Sequence, residues 1–374
     1  MANTLTGLIP DLYESLDVVS RELAGFIPSV TLDATAERAA LNEAIRIPIT
    51  PASAAEDVVP SSLPPDDGDQ IIGNTPFTIQ KSRMVPFRWT GEEQKGVNNG
   101  PGYANIRRDQ ISQAIRTLVN EMETDLGKLA YLGSRASGTA GTTPFATNLG
   151  DTAQVRKILS DNGAPLSDLQ CVIDTTAGAN IRTLAQLTKA NEAGTTSLRA
   201  QGTLLELHGF TLRESAGVAT HTSGTGASYV TNGNLTAGTT VIPVQTGSGT
   251  VLPGDVVSIG AFKYVVTTAL AGGSFAIGAP GLRAAVATGA NVTVASNFTA
   301  NFAFSRSAIV LATRAPALPQ EGDMADDRIM ITDPRTGMSF EVSMYKQYRR
   351  VRYEIAAAWG CQNIKPAHTA LLLG

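Results

Sequence analysis

Residues 101–135 read PGYANIRRDQISQAIRTLVNEMETDLGKLAYLGSR. Ile111, Ile115, Leu118, Val119, Met122, Leu126 and Leu129 recur at three- and four-residue spacing, which predicts a helix with one apolar stripe. Arg107, Arg108, Gln113, Glu121 and Glu123 take the opposite face. Pro101 and Gly102 punctuate the start, and Gly133 with the GTAGTTP run stops it. A helix of this length spans on the order of 45 Å, enough to cross a whole subunit as a spine.

Upstream, the pattern changes period. In FTIQKSRMVPFRWT, residues 77–90, Phe77, Ile79, Val85, Phe87 and Trp89 alternate at period two. Lys81 and Arg83 fall on the same face as those apolar residues. Two structures suit such a face: a projecting two-stranded arm that lies on another subunit, or an edge strand with solvated charges. IRIPIT, from Ile45, is a short strand, and SSLPPDDGDQ a polar loop. Before them, Leu8, Leu12, Leu16 and Val19 predict one helix, and ATAERAALNEAI, residues 34–45, a second short one.

Downstream, 150–220 alternates helix and strand. DTAQVRKILSDNG and TTAGANIRTLAQLTKAN are helices, LQCVIDT is a buried strand, and LLELHGFTLRES is a strand pair turning at His208-Gly209. Composition then shifts. Residues 222–297 hold three charged side chains, Asp255, Lys263 and Arg283, against thirteen glycines. Short β-rich runs between turn signals predict a small antiparallel barrel, inserted into the α+β unit. Val256, Val257, Ile259, Val265, Val266 and Ile277 are its candidate core. Such a unit is expected to fold autonomously on an outer surface. After 298, FAFSRSAIVLATR is a buried strand or short helix. RIMIT and MSFEVSMYKQY flank a hairpin turn at 333–337, and RVRYEIAAAWG is a further strand.

The bulk numbers narrow the function. The 374 residues suit more than one folded unit, and 43 % apolar residues suffice for a core. Aromatics are sparse, at 6 %, which disfavours a large aromatic-lined pocket. A net charge of −4 lacks the basic excess of a phosphate-gripping protein, so any DNA nearby would be enclosed rather than held. Cys171 and Cys361 form no framework, and Cys171 reads as an inert buried thiol. No secretory signal or membrane-length apolar run is present. His208, His221 and His368 sit in no metal-ligand pattern and read as loop or surface residues. GxSxG and GxxxxGK[ST] are absent, and GEEQKG at 91–96 would repel phosphate with its acids. No enzyme, catalytic residue, metal or cofactor is expected.

The segment order resembles the HK97-type capsid fold of tailed bacteriophages, and within it the P22-like coat proteins. The stretch ATRAPALPQEGDMADDRIMITDPRTGMSFEVSMYKQYRRVRYEIAAAWG carries the likeness most closely. The resemblance implies an α+β fold divided as N-terminal arm 1–45, extended loop 46–100, and spine helix with the start of a peripheral domain 101–149. An axial domain would follow over 150–221, then the inserted β domain 222–297. The rest of the axial domain and the peripheral strands would fill 298–374. It implies a major capsid protein: a structural subunit of an icosahedral head, assembling into pentamers and hexamers around double-stranded DNA. Implied partners are further copies of the chain, a portal protein and a decoration protein. With no scaffold-like segment of roughly 100 residues before the arm, a separate scaffolding protein is implied too. The expected locations are the virion and, during assembly, the host cytoplasm, with no membrane partner. The expected inter-subunit contacts are Lys81, Arg83, Arg88 and Trp89 on one subunit, the three basic residues docking on acids of its neighbour, with Glu121, Glu123 and Asp125 as candidate partners. The rival classes are a tail-tube or adhesin protein, against which the long helix argues, and an enzyme carrying a β-barrel accessory domain.

Overall fold

The long helix forms over Tyr103–Lys128, and a 3-10 turn, Leu129–Leu132, extends it. At the standard rise its 26 residues span about 39 Å. The computed structural model describes residues 24–49, 55, 57–58, 60, 72–97, 103–184, 206–332 and 337–374. The expected helix at Leu8–Val19, the SSLPPDDGDQ loop and the 333–336 turn lie outside them. The helix buries Ile111, Ile115, Leu118, Val119, Met122 and Leu126 in one core shared by two sheets.

The first sheet has six strands. Along one path they run Thr31–Ala39, Ile309–Pro316, Arg350–Asn363, Ser339–Gln347 and Asp327–Thr332, and Lys81–Thr90 pairs with Arg350–Asn363. Phe340, Val342, Met344, Ile355 and Trp359 turn inward toward the helix. Here the structure corrects one expectation. ATAERAALNEAI is not helical: Thr31–Ala39 and Ala44–Ile49 are strands with a turn between. Thr31–Ala39 gains a parallel ladder on Ile309–Pro316, a tertiary gain that outweighs the weak helical preference of Ala, Glu and Arg. Asn42, at φ 66°, makes the turn, and its N–H donates to the Ile79 carbonyl.

The FTIQKSRMVPFRWT run divides between two ladders. Gly73–Thr78 pairs with Ala44–Ile49 in a separate two-stranded sheet. Lys81–Thr90 instead pairs along its whole length with Arg350–Trp359, as an edge strand of the first sheet. The odd-numbered face turns inward, with Phe77, Ile79 and Trp89 buried, and Ser82, Met84, Pro86 and Arg88 turn outward. Of the two readings of this run, residues 81–90 take the edge-strand one.

The second sheet is mixed, in the order Arg135–Ser137, Thr369–Leu373, Phe298–Ser305, Leu169–Ile173, Phe210–Glu214 and Glu206–Leu207. Helices Gly150–Asp161 and Thr175–Thr183 share its second core, and Asp174 caps the latter by accepting from the Thr176 and Ala177 amides. The FAFSRSAIVLATR run is two strands, Phe298–Ser305 and Ile309–Pro316, joined by a 3-10 turn, Arg306–Ala308. The chain crosses there from the mixed sheet to the first one.

Six strands from 229–294 pair antiparallel in a ring. In cyclic order they are Val256–Ile259, Asn291–Val294, Tyr229–Thr231, Val241–Gln245, Ser274–Ile277 and Phe262–Ala271. Ile242, Val257, Ile259, Val266, Phe275 and Ile277 fill its own core. Val256 and Val265 point the other way, into the main core. Lys263 and Tyr264 also pair with Ala136 and Arg135 of the mixed sheet. Four of the six expected core residues thus serve the ring, and two fasten it to the rest.

At the neck of this unit the structure corrects a second expectation. His221 is buried rather than a surface histidine. Its ring lies between Tyr131 and Phe298, at 4.9 and 5.2 Å between centroids. His221 Nε2 lies 2.8 Å from Asp255 Oδ1. Asp255, 0 % exposed, also accepts from the Gly224 and Leu252 amides. Gly254, at φ +90°, makes room: a Cβ there would lie 3.0 Å from both the His221 and the Tyr131 rings.

Candidate inter-subunit surface

The edge strand and the long helix place four of the seven expected contact residues together. Lys81 Nζ lies 2.8 Å from Glu121 Oε1 and 2.8 Å from Asp125 Oδ2. Arg83 Nε lies 3.4 Å from the same Glu121 oxygen. Trp359 Nε1 donates to Asp125 Oδ2 at 3.1 Å, and the Lys81 ammonium sits 5.8 Å from the Trp359 ring centroid. Partial burial opposes the charge on Lys81. Hydrogen bonds that the ammonium donates to Asp125 and Glu121 outweigh it and hold Lys81 above its ordinary pKa. The basic residues in the middle of an apolar face thus meet acids of their own chain. The geometry was expected between subunits; it closes within one.

Glu123 faces elsewhere. It is 4 % exposed and accepts from the Phe26 amide at 2.6 Å, the Ile27 amide at 3.0 Å and Ser215 Oγ at 2.7 Å. Burial raises its carboxyl above the ordinary range, and these hydrogen bonds only partly offset that. Expected as a contact to a neighbour, Glu123 is taken up inside the subunit, where it ties 25–27 and 215 to the helix. Sequence reading set it on the polar face, because Glu at that spacing ordinarily meets water.

Trp89 is buried: its Nε1 donates to Gln110 Oε1 at 2.7 Å, and its ring meets Tyr103 edge-on at 5.3 Å. Tyr103 and Tyr353 hydroxyls lie 3.4 Å apart, and burial raises the Tyr103 pKa. Arg88 is exposed, on the outward face, in register with Arg352. Glu93 accepts from the Thr90 amide while the Glu93 amide donates to Thr90 Oγ1, a capping box that starts helix Gly91–Val97. The GEEQKG run is therefore a capped helix.

One surface escaped sequence reading. The turn after Ser339–Gln347 carries Tyr348, 89 % exposed, and Arg349 at φ 56°. With Thr90, Glu92 and Lys346 it borders a cavity of about 660 Å³. The signal was the break between MSFEVSMYKQ and RVRYEIAAAWG, two runs with one turn between them.

Burial pushes the Cys171 and Cys361 thiols up to about 12, so neither is a nucleophile near neutrality. Among the described residues no group of three or more His, Cys, Asp and Glu side chains is placed to hold a metal ion. Nor, among them, is any helix long and apolar enough to cross a membrane.

A long helix crossing a sheet built from both ends of the chain, beside a mixed sheet with a ring of strands, is a fold that the chain shares with solved capsid chains. The chain superposes on one from the capsid structure of the cyanophage P-SCSP1u with a TM-score of 0.50 and 12 % identity, over 92 % of this chain and 86 % of that one. A chain of Mycobacterium phage Che8 gives 0.49 and 12 %, over 88 % and 84 %. One from the mature capsid of bacteriophage PhiM1 gives 0.47 and 10 %, over 93 % and 86 %. No protein-family model and no curated protein matches the chain.

Proposed function

We propose that this chain is the major capsid protein of a tailed bacteriophage, a structural subunit and not an enzyme. The observation that carries the reading is the fold shared with the P-SCSP1u capsid over 92 % of the chain. Copies assemble into pentamers and hexamers of an icosahedral head that encloses double-stranded DNA without gripping it. The near-neutral charge of −4 suits dense packing of many copies. A separate scaffolding protein and a portal protein complete assembly in the host cytoplasm, and a decoration protein is a further partner. Within the class, the C-terminal stretch favours the P22-like coat proteins. The ring over 229–294 is then the inserted β-barrel domain, on the outer surface.

The division into arm, extended loop, spine, peripheral, axial and inserted segments carries over with one change. The paired strands Ala44–Ile49 and Gly73–Thr78 are the extended loop, while Lys81–Thr90 belongs to the peripheral sheet. Cross-subunit contacts then fall to exposed residues: Arg83, Met84 and Arg88 on the edge strand, and Tyr348 at the hairpin turn. Electron microscopy of the chain co-expressed with its scaffold tests this. Closed shells of uniform symmetry are the expected result; a strict monomer under every assembly condition, or open tubes, overturns it.

A further inference from the structure

A second cleft, remote from the edge strand, lies where the ring meets the mixed sheet. It measures about 220 Å³ and is lined from three sides. Strand Arg135–Ser137 and Gly138 form one wall, helix Gly150–Asp161 another through Gln154, Lys157 and Asp161, and Ala261–Lys263 of the ring the third. Three of the lining side chains are cationic, Arg135, Lys157 and Lys263, and one is anionic, Asp161. The excess of two positive charges stands in a chain whose net charge is −4.

Asp161 is already engaged. Its carboxylate lies 3.1 Å from Arg135 Nη2 and 3.8 Å from Arg283 Nη2. Arg135 is 3 % exposed, an unusual burial for a guanidinium. All its hydrogen bonds leave from Nη2, to the Ile158 carbonyl, Asp161 Oδ2 and Asn162 Oδ1. Its Nε is buried with no acceptor, and its guanidinium lies 5.8 Å from the Phe262 ring centroid. Lys263 Nζ donates to the Gly138 carbonyl across the seam. Lys157 is exposed at the mouth, one helical turn from Asp161, and forms no ion pair among the described residues. A buried guanidinium with an unused Nε donor, two ammonium groups and a single committed carboxylate make an incomplete charge set. Burying the Arg135 Nε donor without an acceptor costs free energy that a bound anion would recover.

We infer that this cleft binds a small phosphate-class dianion at the seam between the ring and the mixed sheet. A dianion suits a cleft whose cations outnumber its one carboxylate better than a monocarboxylate does. Guanidinium and ammonium groups are the ordinary phosphate partners. Bound there, the anion would bridge three segments distant in sequence and fix the ring against the mixed sheet. The inference stands on the cleft alone and is independent of the shell reading.

The test is isothermal titration calorimetry of the purified full chain with inorganic phosphate at constant ionic strength, with chloride as the reference anion. Saturable one-to-one binding is expected. Lys157→Ala, an exposed change whose folding is checked by circular dichroism, should weaken it about tenfold, the scale of one charge-assisted hydrogen bond. Lys157→Arg should restore most of it. A short deoxyoligonucleotide in a parallel arm separates the two sources of phosphate. Binding of the oligonucleotide without binding of phosphate would mean a phosphodiester contact and overturn the assignment. Equal heats for phosphate and chloride, or equal affinity in the wild type and Lys157→Ala, also overturns it.

Discussion

The ring over 229–294 and the seam between the edge strand and the long helix solve one problem in opposite ways. Each must hold a sheet against its surroundings. The ring does it with apolar alternation and turns, from residues close in sequence, and keeps one buried carboxylate, Asp255, at its neck. The seam does it with residues far apart, and places charge inside the contact, Lys81 with Glu121 and Asp125, while on another side of the same helix Glu123 holds the 25–27 backbone. Local patterning sets a unit's shape. Isolated buried polar groups set how that unit is oriented on the rest, because an unmatched polar group in a core penalises every other arrangement.

The largest expected effect tests the neck. Asp255→Ala leaves His221 Nε2 and the Gly224 and Leu252 amides without their acceptor in a fully buried site. A loss on the order of 3 kcal/mol is expected from the denaturant midpoint of the full chain. A loss near that of an exposed Asp would mean that Val256 and Val265 alone orient the ring, and the contrast between the two regions would fail there.

Next is Glu123→Gln. The amide group replaces one accepting oxygen and faces a backbone N–H, so a loss of about 1–3 kcal/mol is expected. The pH dependence separates charge from shape. The folded-state pKa of Glu123 is raised, so the folded state binds more protons than the unfolded one just above the ordinary glutamate range. Its contribution is present in full below the unfolded pKa and is lost as pH rises through the folded one. The wild type should therefore lose stability over that window as pH rises, and Glu123→Gln should flatten the slope. An unchanged slope would assign the pH dependence to other groups.

The two regions also differ in how much of them was legible. The ring's strands follow from alternation, glycine turns and a shift in composition, all local signals, and the helix stripe is equally local. The residues 34–45 misled because Ala, Glu and Arg favour helix while the ladder to Ile309–Pro316 lies far along the chain. Lys81 and Arg83 showed in sequence as an anomaly, basic residues on an apolar face, but not which acids they meet. Glu121 and Asp125 meet Lys81 within the chain, and a sequence carries no mark of whether a contact closes within a chain or between copies. His221 gave no signal at all, since its burial depends on Tyr131, Phe298 and Asp255 converging from three elements.

The smallest expected effect on stability is also the sharpest test of what the seam does beyond its own chain. Lys81 meets two carboxylates and is internal to the subunit. Arg83 differs: its side chain is 59 % exposed and its one ion pair among the described residues, to Glu121, is long. Such a pair contributes between about 0 and 1 kcal/mol, less at high salt. Arg83→Glu should therefore shift the unfolding midpoint by under about 1 kcal/mol, even with two like charges now adjacent. A neighbouring copy that uses the outward charge would experience the reversal in every repeated contact of the lattice, and small pair energies multiply across such contacts. The expected outcome is a folded subunit whose shell yield, counted by electron microscopy, falls well below that of the wild type. Normal shells from Arg83→Glu would confine the charged seam to the inside of one subunit and leave inter-subunit registry to the outward residues Arg88 and Tyr348.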